Sequence, residues 1–564
     1  MQRFVFLLLL LLGLPVHAAK VRLEAPEPVA GLIARYINLE DSAVPASPAG
    51  MLRRMQLEIP ALLATEGYFS ATVALNGATT PVTVVVTPGP RATITALSLK
   101  IEGMISQERR QAIERKWLLK VGAPFRQADW DAAKQEVLRE LLAEDHAGAN
   151  LTFSQAEVDA AGHSVRLRVE YQAGPRYRYG ELRMDGLLRY RPELVERFNR
   201  SVRPGAIYRE SDLLTLQTNL QNTPYFSSVL IDIDTSAPVA ADGTVTAPVD
   251  IRLRERSPHR VSFGAGVSSN TGARVEANYR TADLFHRAWE LSTGLRIEQL
   301  KQTAYADVFL PPTPDNYRDS FGALAEKSNI RGLTINRAAI GAARAQQRGQ
   351  VDYRLGVNWQ TEQKLPLDAL RSDNKALTLN LGLTWRASGS RLDTGEGQSA
   401  QLQIGGGAKA VLSDQNFVRL HGRYQTLFNI NRSNSMMLRA ELGATLANSR
   451  QGIPQDFLFR AGGTNSVRGY AYQSLGVREG SATVGGRYLA VLSAEITHWL
   501  SGPWGIAAFV DAGDAADTRA DFRFATGVGM GARWRSPAGP VAIDIGHGTR
   551  TGETHLHFSL AVPF

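Results

Sequence analysis

The chain has no cysteine in 564 residues. No disulfide can staple it, so its stability must come from size, packing and strand closure. After Leu14 there is no run of roughly 18 apolar residues, which excludes a membrane-spanning helix from the rest of the sequence. If the remainder sits in a membrane, it does so by strands. A clustered basic stripe is also missing. The formal net charge of +9 is spread along the chain, and nucleic acid is not an expected partner. No nucleophile elbow, phosphate loop or thiol site is present, so an enzyme is not the expected class and no cofactor is expected. No metal site is expected either. His547, His555 and His557 lack a partner set, and Asp511, Asp514 and Asp517 are spaced loosely for calcium.

What is there begins with an export signal. Arg3 supplies a positive start, Phe4 to Leu14 is a short apolar run, and Val16-His17-Ala18 offers small residues for cleavage. Residues 1–18 are therefore expected to be a signal peptide. The length exceeds what one ordinary core supports, so several domains should follow.

A weak repeat runs from about Lys20 to Arg256. Pro88-Gly89-Pro90-Arg91, Ala173-Gly174-Pro175-Arg176 and the turn at Pro258 each separate two strand-like segments. The spacing is 85 residues from Gly89 to Gly174 and 84 from Gly174 to Pro258. Repetition of this kind indicates stacked similar modules. Asp129 is placed to cap a helix through Val137, Leu138, Leu141 and Leu142, and Ser211 or Asp212 to cap Leu213 to Leu220. The strand–helix–helix–strand–strand plan resembles the POTRA domain, a periplasmic module that binds extended polypeptide by strand addition. Three copies are expected, at 19–98, 99–175 and 176–258.

From 259 to 564 the texture is that of a barrel. Helical periodicity disappears and short alternating segments run on to the end. Leu377, Leu379, Leu381, Leu383 and Trp385 form one face. Phe522, Phe524, Val528, Met530 and Trp534 form another, with Arg523, Gly527, Gly529, Gly531, Arg533 and Arg535 opposite. Apolar residues on one side and polar or glycine residues on the other suit lipid outside and water inside. Sixteen strand cores are legible, near Val261, Val275, Leu291, Tyr305, Phe321, Ala338, Tyr353, Leu379, Leu402, Val418, Leu438, Leu489, Phe509, Val528, Ile543 and Phe558. The expected fold is α+β repeats followed by an all-β, 16-stranded antiparallel transmembrane barrel, its even strand count placing both ends on one side.

The longest connection, about Arg450 to Thr483, carries Val467-Arg468-Gly469-Tyr470. In the following strand Leu492, Ala494 and Ile496 share the apolar face, so Glu495 points inward. In the next, Ile506, Ala508, Val510 and Ala512 face out, so Asp511 points inward with Phe509. With the segment Phe509 to Gly513 and the run Gly527 to Pro540, the chain here resembles the outer-membrane assembly superfamily that includes BamA, TamA and the two-partner secretion transporters. The resemblance implies that the sixth extracellular loop folds back into the barrel and that Arg468 pairs with carboxylates on its wall, Glu495 and Asp511 being the candidates. Three POTRA-like units and one barrel look most like the TamA branch.

The seam between first and last strands is the second feature. Val261, Phe263, Gly264 and Gly266 belong to the first, and Phe558, Leu560, Pro563 and Phe564 to the last. Two glycines weaken packing, and Pro563 removes a ladder donor. An edge short of hydrogen bonds templates another strand. The resemblance implies a cell outer membrane location with POTRA units in the periplasm. It implies a role in assembling outer-membrane proteins and autotransporters, working on unfolded clients amid outer-membrane lipid, with a TamB-like inner-membrane-anchored partner. The alternative is a channel of the two-partner type exporting one dedicated unfolded substrate.

Overall fold

The computed structural model describes residues 21–37, 48–76, 82–388, 397–537 and 539–563. The signal-peptide segment and Phe564 lie outside the described residues.

Three small α/β modules come first. The first holds β1 (Val21–Glu24), α1 (Val29–Tyr36), α2 (Pro48–Thr65), β2 (Thr72–Asn76) and β3 (Val82–Thr87). The second holds β4 (Thr93–Glu102), α3 (Gln107–Lys116), α4 (Gln127–Leu142), β5 (Asn150–Asp159) and β6 (Ser164–Gln172). The third holds β7 (Arg176–Asp185), α5 (Pro192–Glu196), α6 (Glu210–Gln221), β8 (Phe226–Ile233) and β9 (Thr244–Glu255). Sheet orders are β1-β3-β2, β4-β6-β5 and β7-β9-β8. In the first two modules the last strand in sequence runs down the middle, parallel to the first and antiparallel to its neighbour in sequence.

The second module shows why these residues fold so. Val165, Leu167, Val169 and Tyr171 alternate along β6 and turn one buried face to Trp130, Ala133, Val137 and Leu141, which line one side of α4. Two sequence readings need correction. The N-cap of α4 is Arg126, and Asp129 sits inside the first turn, where its charge favours the positive helix end without capping it. Likewise α6 begins at Glu210, leaving Ser211 and Asp212 within it.

Sixteen strands close into a barrel. They are β10 (His259–Ser268), β11 (Gly272–Leu284), β12 (Trp289–Glu298), β13 (Lys301–Phe309), β14 (Tyr317–Ile330), β15 (Leu333–Arg348), β16 (Val351–Pro366), β17 (Ser372–Ser388), β18 (Gly397–Gly407), β19 (Phe417–Asn429) and β20 (Asn434–Leu446). After a long loop containing the hairpin β21 (Val477–Glu479) and β22 (Ala482–Val484) come β23 (Tyr488–Ser501), β24 (Trp504–Ala516), β25 (Ala525–Ser536), β26 (Gly539–Gly548) and β27 (Glu553–Pro563). All barrel neighbours are antiparallel. Each of the sixteen strand cores marked in the sequence falls on its own strand. Phe522 and Phe524 do not belong to β25, which starts at Ala525.

Large apolar side chains cover the outside. Phe263, Ile506, Met530 and Leu556 are all exposed, Met530 at 70%. The inside is polar or small except where the loop between β20 and β23 packs against the wall. That inversion is stable only in lipid, where the outer side chains lose water and, away from the seam, the backbone groups are paired within the ladder.

By its contacts the chain divides into two units. One holds residues up to Arg183 with 201–217 and 230–251. The other holds the barrel together with 184–200 and 218–229. Within the second unit, the Tyr225 hydroxyl donates to the Ala288 carbonyl at 2.8 Å, and Arg189 lies 3.9 Å from Asp283.

Candidate functional site at the loop anchor and the barrel seam

The loop between β20 and β23 turns inward and brings Val467, Arg468, Gly469 and Tyr470 into the barrel. All four are buried. Val467 and Tyr470 pack with Phe459, Leu475, Leu489, Val491, Ala515 and Ala525, so an apolar cluster surrounds the tip before any charge is considered. The hairpin β21–β22 fixes the loop a second time. Ala482 and Val484 bury against Leu333 and Ile335, and the Lys364 ammonium meets Glu479 at 2.8 Å.

Arg468 is 4% exposed and its donors are taken up by three carboxylates. Its backbone N–H and Nε donate to Asp511 Oδ2 at 3.0 and 2.8 Å, and Nη2 donates to Oδ1 at 3.1 Å. Nη1 donates to Glu495 at 2.6 Å and to Asp544 at 3.1 Å. The guanidinium carbon lies 3.5 Å from the centre of the Phe509 ring, which closes its remaining face. Arg533 then bridges the outer oxygens of two of these acids, with Nε to Glu495 at 2.9 Å and Nη1 to Asp544 at 2.6 Å. Ser493 donates to Asp511 at 2.5 Å. A planar five-donor fork suits this arrangement, and an ammonium does not.

Glu495 and Asp511, which strand parity turns inward, are both within hydrogen-bond reach of Arg468. The sequence reading missed Asp544 and the part played by Arg533. The signal was available: Ile543 and Ile545 face outward, so the same alternation turns Asp544 inward.

Gly469 has φ +87°, and a Cβ there would lie 2.6 Å from the His547 carbonyl carbon. On the wall, a Cβ at Gly527 would lie 1.7 Å from the Arg468 oxygen. Glycine on both sides lets loop backbone touch strand backbone. The Gly469 N–H donates to His557 Nε2 at 2.8 Å, so that nitrogen carries a lone pair and the imidazole holds its proton elsewhere. The Tyr470 hydroxyl donates to the Thr526 carbonyl at 3.0 Å. Arg439 supports the loop from β20, donating to the Ser466 carbonyl at 2.8 Å.

The seam has its own geometry. β10 pairs ten residues with β11 but, among the described residues, only Gly264 to Ser268 with β27. β27 changes partner along its length. Glu553 to Phe558 pair with β26, and Ser559 to Pro563 pair with β10. At each level, among the described residues, one neighbour holds the last strand.

At the top of the seam, Ser269 N–H donates to the Phe558 carbonyl and Ser269 Oγ accepts the Phe558 N–H, each at 3.0 Å. Ser269 Oγ also meets Thr464 of the loop at 3.2 Å. The Ser269–Phe558 exchange sets the phase of the ladder, and it puts the backbone groups of Val267 and Ala265 on the seam side. Pro563, opposite Gly264, thus sits where its N–H would face β26. The donor it lacks is lost on that side and not at the seam, a correction to the sequence reading. Val261 and Phe263 project outward on the lipid face, as do Val267 and Leu560. Gly264 and Gly266 lie on the luminal side, where the Glu276 side chain occupies the space beside Gly264.

Comparison with known proteins fits this architecture. A sequence model of the Omp85 superfamily domain matches residues 243–562. The chain belongs to the Omp85 superfamily. The outer membrane protein assembly factor BamA of Nitratidesulfovibrio vulgaris is 28% identical over 164 residues, covering 27% of this chain and 20% of that protein. The match thus spans about a fifth of that relative's length. The crystal structure of BamA from Haemophilus ducreyi lacking POTRA domains 1–3 superposes with a TM-score of 0.72 at 16% identity, covering 84% of this chain and 100% of that one. That likeness is one of fold: an Omp85 barrel preceded by POTRA-like modules.

Proposed function

We propose that this Omp85 protein is an outer-membrane insertase of the TamA type. Clients reach it unfolded and add as strands at the seam between β10 and β27, without nucleotide or cofactor. The observation that carries this reading is the partner change in β27. Freeing its lower half breaks a ladder of five residues and no second ladder among the described residues, whereas freeing β16 would break ladders on both sides. A strand edge so exposed in lipid is costly unless another strand pairs with it.

The three POTRA-like modules, at 19–98, 99–175 and 176–258, are the proposed periplasmic arm. They would engage a TamB-like inner-membrane-anchored protein, and autotransporters would be among the clients. The signal peptide at 1–18 would deliver the chain to the periplasm. Export of one substrate through the lumen fits less well, because the buried Arg468 network ties the loop across the barrel interior.

A cross-strand cysteine pair tests the reading. Gly266 and Ala561 are directly opposite in a non-hydrogen-bonded position, the geometry in which Cα atoms come closest. Gly266→Cys with Ala561→Cys should abolish insertion of an unfolded barrel protein into proteoliposomes when oxidised, and reductant should restore it. Insertion at the unmodified rate with the disulfide closed sinks the lateral-gate reading.

A further inference from the structure

Arg260 of β10 and Arg280 of β11 stand directly opposite each other in the ladder. Cross-strand neighbours lie about 5 Å apart at Cβ, and like charges so placed repel. Alternation with the outward Val261 and Phe263 turns both arginines toward the barrel interior, at the end where the chain enters β10. Both are exposed, and neither side chain has an ion pair or hydrogen bond among the described residues.

The carboxylates nearby are committed elsewhere or distant. Glu276 pairs with Arg296 at 3.0 Å, and Asp283 with Arg189 and His286. Asp307 shares the row through Ser292, two strands away, which is roughly 10 Å. Two guanidinium groups thus stand at facing ladder positions with no carboxylate paired to either among the described residues.

The same strand has an edge that lacks a partner among the described residues. The seam ladder starts at Gly264, and none of the described residues pairs with the seam side of His259 to Phe263. The ladder's phase directs the backbone groups of Val261 and Phe263 to that side. β27 runs antiparallel to β10, so any strand adding in the same sense brings its C-terminal end down to Arg260.

We propose that Arg260 and Arg280 form an anion cradle that receives the free C-terminal carboxylate of an extended polypeptide adding to the edge of β10. The cradle rests on the strand-addition reading above and adds a chemical criterion to it: clients that present a terminal carboxylate at this register are held more tightly. Two rigid forks suit a carboxylate. Their direction argues against a lipid headgroup, since both side chains face away from the lipid side.

The test uses the full protein in detergent and a synthetic peptide with the sequence of residues 555–564 followed by three glycines, which in the β27 register ends opposite Arg260, made once as the free acid and once as the amide. Binding is followed by fluorescence anisotropy. The free acid should bind about ten-fold more tightly than the amide, and the difference should vanish in Arg260→Gln with Arg280→Gln. Because that double variant relieves repulsion, its barrel should keep heat-modifiable migration in gels and unfold no earlier.

Equal binding of acid and amide to the unmodified protein overturns the cradle and leaves strand addition standing. Failure of both peptides to bind removes strand addition and the cradle with it. An acid preference that survives in the double variant places the anion elsewhere and overturns the proposal. So does a thermal stabilisation by phosphatidylglycerol that the double variant loses without any acid–amide difference, which would assign the arginines to lipid phosphate.

Discussion

The second POTRA-like module and the barrel use the same alternating strand and bury opposite faces of it. In β6, Val165, Leu167, Val169 and Tyr171 alternate and vanish into a core beneath α4. In β24, Ile506 and Val510 alternate just as regularly and stand exposed, while Ala507, Phe509 and Asp511 on the other face are buried. A period of two fixes that a strand has two unlike faces; it does not say which one meets solvent. What separates the two cases is the partner. A helix within about 10 Å makes the apolar face the inside, and lipid makes it the outside. The charged groups follow: ion pairs lie on the surface in the module, as with Arg166 and Glu157, and at the centre in the barrel, as with Arg468.

Breaking one residue on each side should expose the difference. Arg468→Ala leaves Asp511, Glu495 and Asp544 facing one another, with Arg533 still paired to Glu495 and Asp544. The expected loss is about 3–5 kcal/mol, seen as protease cleavage within 450–483 while the barrel stays heat-modifiable in gels. Arg468→Lys should recover little, since one ammonium cannot serve three acids. Trp130→Ala removes the largest apolar side chain of α4 and should destabilise the second module by about 3–5 kcal/mol. Urea unfolding followed by module fluorescence should shift with the barrel transition unmoved. A shift of both transitions would mean that the two regions do not unfold independently.

A smaller effect sharpens the comparison of faces. Val510→Arg puts a charge on the outer surface of β24 and should cost about 2–4 kcal/mol if that level is mid-membrane, read from refolding into vesicles. The same substitution on an exposed face of a soluble sheet would be nearly neutral, so a null result removes the assignment of that face to lipid.

The smallest effect belongs to the module. His146 is 1% exposed, with Nδ1 3.1 Å from the Pro175 carbonyl, and burial holds its pKa below the ordinary value. Its folded form therefore resists protonation more than its unfolded form. The stability it contributes is present above about pH 6.5 and is lost as pH falls through that value. His146→Gln should flatten this part of the pH–stability profile. An unchanged slope assigns the acid sensitivity to other groups.

Much of this was legible beforehand because strand patterns are local. The sixteen cores could be marked from alternation alone, and Glu495 and Asp511 were assigned inward by counting from their outward neighbours. Cap positions were less legible: Asp129 has the right chemistry for an N-cap, but α4 starts three residues earlier because Arg126 is still extended. Pro563 was read as a missing seam donor, yet which edge a given N–H faces depends on the hydrogen-bonding phase set at Ser269 and Phe558. That phase is a property of the closed ladder and is not written in either strand.

The sequence by itself determined that strands cross the membrane, how many there are, and which side chains share each face. These follow from period, length and the lack of any long apolar helix after the N-terminal run. Only the tertiary structure decided that Asp544, Arg533 and His557 meet the loop tip, that β27 changes partners halfway, and that Arg260 faces Arg280. Asp544, Arg533 and His557 lie on separate strands, up to 89 positions from Arg468 in the case of His557; barrel closure and its registers set them beside the loop tip, and the β10–β11 register sets Arg260 opposite Arg280.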